Sequence, residues 1–512
     1  MSVQFLNARA VRLHPGDDVA VALVDLAPGS AVTAGGARVV TRASIPAGHK
    51  LAVEAVEVGR SVRRYSQVIG VATQPISAGD HVHTHNLAMA DVAVEYDLGS
   101  AYRPTVGAGT PATFEAIVRS DGRIATRNYL AVLSTVNCSA TVARMIADRV
   151  QATSDVSGRS SFDGVVALTH GTGCGMGSTG EGIDLLRRTL AGFASHPNFG
   201  GVLLVGLGCE ANQVADIVDI HGLADSDRFR TLNIQDVGGT SACVEAGSKI
   251  VESMMASATD VQRQPVPVSH LKLGLQCGGS DGYSGITANP ALGAAADILV
   301  RHGGTAILSE TPEIYGAEHL LTSRAATPEI ARALLDRISW WEDYTARNHG
   351  TMDNNPSPGN KAGGLTTILE KSLGAVAKSG TSGLMGVYGY GEQIDTPGFV
   401  FMDSPGYDPV SVTGQVASGA NIVCFTTGRG SAYGCVPAPS LKLSTTTALF
   451  ERQRDDIDIN CGAVLDSGVS VEEMGERIFA EILRVASGAR TKSEALGYGH
   501  NEFAPWVVGA VM

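Results

Sequence analysis

Four cysteines hold equivalent positions in the chain, each a few residues after an apolar run that is typical of a β-strand. Cys138, Cys174, Cys209 and Cys277 follow the runs 130–136, 164–168, 202–206 and 271–275. Ligands of open parallel sheets bind outside the carboxyl ends of the strands, so thiolates delivered there can hold a metal ion or a cluster. Cysteine is also a common buried filler of cores. We predict a metal site formed by Cys174, Cys209, Cys277 and Glu310.

Histidines near the N-terminus offer an alternative metal site. Residues 81–86 read HVHTHN, and on a β-strand the period of two would place His81, His83 and His85 on one face. Neutral imidazoles on one face can bind a divalent metal. A polar strand face or a hydrogen-bonded turn is the competing interpretation. The alternative ligand set is His14, His49, His83 and His85.

Polar, glycine-rich segments after further predicted strands carry the candidate catalytic and substrate-binding side chains. Loops that follow strands carry function more often than other loops do. Arg429 lies between two glycines after the run 422–426, which suits bidentate binding of a carboxylate. The candidate catalytic residues are His170, Asp281, Lys361, Lys371 and Arg429. The candidate substrate-binding residues are Ser280, Asn289, Asn360, Thr427 and Arg429.

Together these groups could remove water from a 2,3-dihydroxy acid. That reaction needs a base for the proton next to the carboxylate, a positive centre for the resulting enediolate and an acid for the departing hydroxide. A divalent metal can supply the positive centre, and Lys or His can supply the base or the acid. Other reactions use the same groups, so the residues alone leave the reaction open.

A glycine-rich segment suggests a rival function. Residues 175–180 read GMGSTG and formally match the fingerprint of a dinucleotide-binding turn. That fingerprint requires an acidic residue about 20 positions further on, and residues 194–201 contain none. A nucleotide-dependent oxidoreductase is therefore the weaker alternative.

Composition restricts the class of protein. The chain has 512 residues, of which 44% are hydrophobic, and a formal net charge of −13. This charge argues against nucleic acid or an anionic membrane as partner, and no apolar run is long enough to cross a bilayer. We see no secretory signal, and eight cysteines without dense spacing fit a reducing compartment. We expect a cytoplasmic protein that binds a small molecule.

The alternation of strands and helices divides the chain. Residues 1–92 contain short strands and glycine turns, as in small β-domains, and residues 93–112 form a linker rich in Gly, Ala, Thr and Pro. Strands then alternate with amphipathic helices, which indicates α/β structure. The polar, proline-containing segment 254–269 predicts a boundary between two α/β domains, 113–262 and 268–512.

Six segments together form a specific pattern. They are GRIATRN (122–128), HGTGC (170–174), GLGCE (206–210), and residues 276–290, 355–361 and 425–430. With these segments the chain resembles the altronate/galactarate dehydratase family over nearly its whole length. The resemblance implies a small N-terminal β-clip (SAF-like) domain followed by two α/β domains, the second a Rossmann-like parallel-sheet variant. It also implies a homodimeric lyase, assisted by Fe(2+) or Mn(2+), that makes a 2-keto-3-deoxy sugar acid.

The resemblance is divided on the substrate. Residues 78–86 look more like the altronate enzymes, whereas residues 417–420 and 471–488 look more like the galactarate enzymes. A related branch, the two-subunit sulfolactate sulfo-lyases, matches less well because this chain is a single polypeptide. The cysteines could hold an iron–sulfur cluster instead of a single ion, and the motifs do not identify the base.

Overall fold

The N-terminal part of the protein is built from short antiparallel strands. The structure, a computed structural model, describes residues 8–90, 95–153, 161–258 and 261–510. The strands of the first segment are β1 (Ala10–Val11), β2 (Val19–Ala22), β3 (Ala31–Ala34), β4 (Ala37–Val40), β5 (Lys50–Ala52), β6 (Ser61–Arg64), β7 (Gln67–Ala72), β8 (His81–Val82) and β9 (Leu87–Ala88). They form sheets of order β1-β2-β5-β8, β3-β4 and β6-β7-β9. Turns that join them are closed by Gly29, Gly48, Gly59 and Gly79, all with positive φ.

The middle of the chain contains a parallel sheet with helices on its faces. Its elements are β10 (Thr113–Val118), β11 (Ile124–Ala125), β12 (Tyr129–Ser134), α1 (Asn137–Thr153), β13 (Gly164–Leu168), α2 (Glu181–Ala194), β14 (Phe199–Gly206), α3 (Val214–His221), β15 (Phe229–Asn233), α4 (Thr240–Ala258) and β16 (Arg263–Pro267). The parallel sheet has the order β13-β12-β14-β15. We call it the central sheet.

The C-terminal part contains a larger parallel sheet. Its elements are β17 (Lys272–Cys277), α5 (Ala288–Arg301), β18 (Thr305–Leu308), α6 (His319–Thr322), α7 (Pro328–Arg347), α8 (Pro358–Ala362), α9 (Ile368–Val376), β19 (Leu384–Tyr388), β20 (Gly398–Met402), α10 (Asp408–Ala417), β21 (Ile422–Thr427), β22 (Ser440–Ser444), α11 (Thr447–Arg452), β23 (Ile459–Asn460), α12 (Ala463–Asp466), α13 (Val471–Ala486) and α14 (Lys492–Leu496). The strand order is β19-β20-β18-β17-β21-β22-β23, all parallel. We call it the large sheet.

The central strands of the large sheet are buried on both faces, as their apolar sequences require. Every residue of β21 and β22 is buried, because helices cover both sides of a parallel sheet. The start of α7 follows from its sequence, since Thr327 accepts a hydrogen bond from the Ile330 N–H and Pro328 occupies the first turn. The large sheet is therefore a rigid support for the loops at its carboxyl edge.

A buried ionic triad fastens the N-terminal strands to the large-sheet domain. Glu370, on α9, lies 2.8 Å from Lys50 Nζ and 2.5 Å from Arg64 Nη1. All three side chains are at most 1% exposed. The Glu370 carboxylate also accepts from Thr366 at 2.7 Å. Such a network holds the two parts in one orientation, because an unpaired charge at this depth would be strongly destabilising.

Two segments predicted to be connections have more structure than expected. Residues 263–267, inside the predicted boundary segment, form β16, which pairs antiparallel with β10. The predicted linker has no regular structure in its described part, yet it packs on the C-terminal part: the Gly99 N–H donates to the Thr322 carbonyl, and the Ala108 N–H to that of Arg301. Among the described residues, none of the helices combines the length and apolarity that a membrane crossing requires.

Candidate active site

Two adjacent glycines lie where the order of the large sheet reverses. The strand β17 has β18 on one side and β21 on the other, and Gly278 and Gly279 follow it directly. A Cβ on Gly278 would fall inside contact distance of Asp408, and Gly279, at φ +63°, lies against Thr427 and Arg429. Ligands of open α/β sheets bind at such reversal points. The glycine pair allows side chains from β20–α10 and from the end of β21 to approach the same place.

Beneath this turn lies a buried cluster of charged side chains and a thiol. Donor atoms of Cys277, Glu310 and Glu313 lie within 4.8 Å of one another, and all three residues are buried. Lys378 Nζ is 3.0 Å from Cys277 Sγ and 3.5 Å from Glu310 Oε2. Lys371 Nζ is 2.5 Å from Glu313 Oε1. We call these five residues the acidic cluster.

Glu310 is the unusual member of the acidic cluster. Its backbone is in the left-handed region at φ 71°, which is rare for a residue with a side chain. Both of its carboxylate oxygens are buried without a hydrogen-bond partner among the described residues. Burial, and then the charge of Glu313, raise the pKa of Glu310 well above its usual range. Glu313, by contrast, is held ionised by Lys371 and its pKa is lowered against the effect of burial.

Asp408 connects the acidic cluster to solvent. It is the first residue of α10 and is half-buried. Burial, together with the charge of Glu313, raises the pKa of Asp408 to about 7. A carboxyl group that titrates near neutral pH can both accept and return a proton, which is what general acid–base catalysis requires.

On the other side of the glycine turn, Arg429 lines a cavity of about 350 Å³. The cavity is also lined by Asp281, Gly363 and Arg452, and by Ala47 of the N-terminal strands. Arg429 is exposed and makes no ion pair with another described residue. An unpaired guanidinium in a concave site is suited to bidentate binding of a carboxylate.

Several predicted substrate-binding residues hold loops in place instead. Asn289 Nδ2 donates to the Gly374 carbonyl at 2.8 Å, and Asn360 Nδ2 donates to the Ser280 carbonyl at 2.9 Å. Thr427 accepts a hydrogen bond from the Gly430 N–H at 3.0 Å. All four predicted side chains besides Arg429 are buried, and those of Asn289, Asn360 and Thr427 form hydrogen bonds within the protein.

The predicted catalytic residues fall into different environments. Asp281 is buried and accepts from the Tyr283 N–H, Ser284 and Thr445 at 3.0–3.1 Å, which organises its turn beneath the cavity. Lys361 is half-buried on α8, one residue before Ala362 at the cavity wall. Lys371 belongs to the acidic cluster.

His170 lies in the loop after β13, and both of its ring nitrogens are engaged. Nε2 lies 3.0 Å from the Ser134 carbonyl oxygen, and Nδ1 accepts from the Thr172 N–H at 3.3 Å. Burial lowers the pKa of His170 to about 4. A neutral, doubly bonded ring fixes the loop and has no free nitrogen for proton transfer.

The four cysteines are distributed over two sheets, which separates the predicted metal ligands. Cys174 and Cys209 are exposed at the carboxyl edge of the central sheet, whereas Cys277 is buried at that of the large sheet. Among the described residues, the only three metal-ligating side chains with donor atoms within 4.8 Å are Cys277, Glu310 and Glu313. Two of the four predicted ligands therefore lie together and two lie elsewhere.

The histidines of the N-terminal strands do come together, although by a different geometry from the one predicted. The strand β8 ends at Val82 and a turn follows, so His83 and His85 are not on a strand face. The His83 N–H donates to Asn86 Oδ1 at 2.9 Å, which stabilises that turn. The His49 ring lies 5.1 Å from that of His81 and 4.9 Å from that of His83, between ring centroids.

These histidines, His49, His81, His83 and His85, form what we call the histidine cluster. Burial lowers the pKa of His81 to about 3 and that of His83 to about 4, so both rings are neutral at pH 7. The His83 Nδ1 atom is buried and has no hydrogen-bond partner among the described residues. His49 Nε2 lies 3.3 Å from the Ala362 carbonyl oxygen at the Arg429 cavity.

His14 is not part of the histidine cluster. It is exposed in a turn, where its Nδ1 accepts a hydrogen bond from the Gly16 N–H at 3.0 Å. The physical reason is local: His14 follows β1, whereas His49 directly precedes β5, His81 lies on β8 and His83 and His85 follow it, and β5 and β8 are neighbours in one sheet.

Comparison with known proteins identifies the family. Residues 8–90 match the altronate/galactarate dehydratase SAF domain, residues 116–259 the D-galactarate dehydratase/altronate hydrolase second domain, and residues 268–511 the D-galactarate/altronate dehydratase C-terminal domain. The chain is 35% identical to the altronate dehydratase of Bacillus subtilis (strain 168) over 487 residues, 94% of this chain and 96% of that one. This chain belongs to the altronate/galactarate dehydratase family.

Two further relatives extend the comparison. The galactarate dehydratase (L-threo-forming) of Escherichia coli (strain K12) is 35% identical over 90% of this chain and 89% of its own length. The (2R)-sulfolactate sulfo-lyase subunit beta of Chromohalobacter salexigens is 33% identical over 76% of this chain and 96% of its own length. The altronate/galactarate dehydratase family is thus the one whose relatives span this chain from the SAF domain to the C-terminal part.

Sequence reasoning missed two residues of the site in this family member. Asp408 precedes a proline, and an Asp-Pro pair reads as an ordinary helix start. Lys378 lies in the single turn that extends α9 and carries no motif signal. Asp408 is recognised only when the strand order brings the loops after β17, β18 and β20 to one edge, and Lys378 only through its contacts with Cys277 and Glu310.

Proposed function

We propose that this chain is a sugar-acid dehydratase, a hydro-lyase that eliminates water from altronate, galactarate or a related acid to give a 2-keto-3-deoxy acid. The observation that carries the proposal is the position of Arg429. On one side its side chain lies against Gly279, whose neighbour Gly278 lies against Asp408. On the other side it lies against Gly363, which follows Ala362, the residue whose carbonyl contacts His49. A carboxylate-binding group thus stands between a titrating carboxyl group and a set of neutral imidazoles.

Asp408 is the group we assign to proton transfer. In its ionised form it takes the proton from the carbon next to the substrate carboxylate, which Arg429 holds. Lys371, cationic beside Glu313, contributes positive potential where the enediolate charge develops. Lys361, on α8 at the cavity wall, is the candidate proton donor to the departing hydroxide.

The histidine cluster is the site to which we assign a divalent metal. In the structure His49 Nδ1 lies 3.0 Å from His81 Nε2 in a hydrogen bond, and among the described residues only the acidic cluster has three donor atoms within 4.8 Å of one another, so the rings must turn to bind an ion. The His81 and His83 rings are neutral at pH 7 and His83 keeps a buried nitrogen without a partner among the described residues, whereas in the acidic cluster the ammonium of Lys378 already lies beside Cys277 and Glu310. Nitrogen ligands suit Fe(2+) and Mn(2+). We therefore assign the metal to His49, His81 and His83, with His85 adjacent. Such an ion, when bound, supplies a Lewis acid for the substrate oxygens.

The strand order supports the same location for the substrate. We propose that the large sheet is a Rossmann-like variant, since six of its strands follow the doubly wound order and β19 is added at one edge. In that arrangement the crevice lies beyond the carboxyl ends of β17 and β21. Both the glycine turn and Arg429 are there.

A substrate panel tests the proposal. Aldonates and aldarates, assayed anaerobically with Fe(2+), with Mn(2+) and with chelator, are expected to give a 2-keto-3-deoxy acid from at least one substrate, without any requirement for NAD(P). Arg429→Ala is expected to raise the KM at least tenfold, because a charge-assisted pair is removed from the substrate. Arg230→Ala, an exposed arginine on β15, is the matched control.

A second candidate activity follows from one of the relatives. The similarity to the sulfo-lyase subunit covers most of this chain, and loss of sulfite from a 2-hydroxy-3-sulfonate uses the same proton abstraction. Sulfolactate therefore belongs in the panel, with sulfite release as its readout. Sulfite release without turnover of any sugar acid would replace the dehydratase proposal. The cytoplasmic location and the homodimer remain predictions.

A further inference from the structure

Three cysteines are exposed, and all three lie at the carboxyl edge of the central sheet. Among the eight cysteines of the chain only Cys138, Cys174 and Cys209 are exposed. They follow β12, β13 and β14, which are direct neighbours in the order β13-β12-β14. Free cysteine is among the most buried residue types, so three exposed thiols at one sheet edge call for an explanation other than core packing.

The loops that carry these thiols contact one another directly. The Asn137 N–H donates to the Thr172 carbonyl at 2.9 Å, which joins the loops of Cys138 and Cys174. Asn212 donates from its backbone to Gly173 at 3.1 Å and from its side chain to the Thr135 carbonyl at 2.9 Å. These contacts therefore hold the start of α1, which carries Cys138, and the loops of Cys174 and Cys209 against one another.

Buried polar groups fix the loop of Cys209. The Glu210 carboxylate is 3% exposed and accepts from Thr135 and from the Gly208 N–H, both at 2.7 Å. Gln235 Nε2 donates to Cys209 Sγ at 3.3 Å. The buried Glu210 carboxylate thus fixes the loop, and the Gln235 amide donates to its sulfur. Hydrogen bonds of this kind orient the ligands of metal sites.

In the Cys174 loop, the two residues next to the thiol are glycines without side chains. Gly173 and Gly175, on either side of the thiol, have positive φ, and a Cβ at Gly173 would fall inside contact distance of the Thr135 carbonyl. Glycine is thus required on the inner side of this loop. Bare backbone N–H groups beside thiolates are the groups that hydrogen-bond to cluster sulfides.

We infer that Cys138, Cys174 and Cys209 form an iron–sulfur site on the central sheet, which holds a [4Fe–4S] cluster by three thiolates. Zn–S bonds of about 2.3 Å would place the thiolates of one tetrahedral ion about 4 Å apart. Among the described residues, these three thiols are not a group with sulfurs within 4.8 Å of one another. The thiolates of a cluster lie further apart than those of a single ion, so this spacing argues against the single ion and is compatible with a cluster. With three protein thiolates, one iron keeps an open position.

The thiols of this site follow strands of the central sheet, whereas the histidine cluster belongs to the N-terminal segment and Asp408 follows β20. The presence of the site does not depend on the reaction proposed above. Cys277, which the sequence grouped with Cys174 and Cys209 in one metal site, belongs to the large sheet instead. Iron bound with sulfide in the central domain and iron bound by imidazoles in the N-terminal domain are therefore two distinguishable populations.

Anaerobic reconstitution tests the inference. The full chain is incubated with Fe(2+), sulfide and thiol, desalted, and analysed for iron, acid-labile sulfide, visible absorbance and, after reduction, electron paramagnetic resonance. We expect about four sulfides per chain, and a loss of at least three quarters of the sulfide in each of Cys138→Ser, Cys174→Ser and Cys209→Ser. Cys435→Ser, at a half-buried thiol outside the central sheet, and His83→Ala are expected to keep the sulfide.

Each variant is also checked for folding by its thermal transition without metal, since exposed thiols tolerate serine. Sulfide content equal to wild type in the three cysteine variants would overturn the site. Binding of zinc or iron alone, with no sulfide in wild type, would overturn the cluster. Because sulfide is measured without any substrate, an inactive chain that retains it would reject the proposed function and leave this inference standing.

Discussion

Asp408 makes the pH dependence of the reaction predictable. Burial and the charge of Glu313 raise its pKa to about 7, and the ionised form is the one that accepts a proton. We therefore expect kcat/KM to rise with pH through an apparent pKa of about 7 and to level off above it. Asp408→Asn is expected to lower kcat by about 10²–10⁴-fold and to remove that limb of the pH profile.

Two variants control this interpretation of the pH profile. Asp395→Asn, at a carboxylate that is 92% exposed, should keep both the rate and the limb. Glu313→Gln removes a negative charge that raises the pKa of Asp408. It also frees Lys371 from its ion pair, and the charge of Lys371 lowers the pKa of Asp408. The limb should therefore move to lower pH. A limb that stays at the same pH in Glu313→Gln would contradict the coupling.

Gly278 allows the approach of Asp408 to the end of β17. An alanine there would place its Cβ inside contact distance of Asp408 and 2.5 Å from Phe425 Cζ. We expect Gly278→Ala to lower kcat by about 10²-fold, because a displacement of about 1 Å is sufficient for such a loss. Gly109→Ala, where a Cβ meets nothing within 4 Å, should leave kcat unchanged, and equal kcat in the two variants would reject the role of this contact.

Among the elements, α9 joins two parts of the molecule through Glu370. Glu370→Gln leaves Lys50 and Arg64 buried without a counter-charge, so we expect it to lower the free energy of unfolding by about 3–5 kcal/mol. The measurement is denaturant unfolding followed by circular dichroism. Glu329→Gln, which breaks a pair that is 60% and 75% exposed, should leave the free energy of unfolding nearly unchanged, because solvent screens an exposed pair.

The same triad predicts an acid transition. Burial opposes ionisation of Glu370, but Lys50 and Arg64 lower its pKa from 4.5 to about 2. Because the pKa of Glu370 is lower in the folded than in the unfolded protein, its ionisation stabilises the fold at any pH above the unfolded pKa. This stabilisation is lost as the pH falls from about 4.5 towards 2. Wild type should therefore lose more free energy of unfolding over that range than Glu370→Gln does. Equal pH slopes would contradict the assignment.

The sequence predicted where individual strands end better than it predicted which strands lie next to each other in a sheet. Apolar runs bounded by glycine indicated that Cys277 lies near the end of a strand, of which it is the last residue, and correctly that Arg429 follows one, because strand ends are local properties. Which strands share a sheet depends on tertiary pairing, so Cys174 was grouped with Cys277 although their sheets differ. The alternating histidines suggested a strand face, yet Asn86 closes a turn there and His49 joins from another strand.

At the scale of the whole molecule, the site combines parts that are distant in the chain. The N-terminal strands supply the histidine cluster, the large sheet supplies Arg429 and Asp408, and Glu370 fixes one part on the other. The overall charge of −13 would repel an anionic substrate from most of the surface, so binding must come from the local cations Arg429 and Arg452 at the cavity. The exposed thiols lie on the central sheet, which supplies none of these groups.

Metal content tests how the parts cooperate. If the N-terminal strands hold the ion, His83→Ala should lower the iron that remains after anaerobic loading without sulfide and desalting by at least tenfold, since one imidazole and its buried nitrogen are removed. Turnover should fall in parallel and recover partly at high Fe(2+). His14→Ala, at an exposed histidine of the same strands that lies outside the cluster, should match wild type. Undiminished iron in His83→Ala, together with its loss in Glu310→Gln, would move the metal to the acidic cluster.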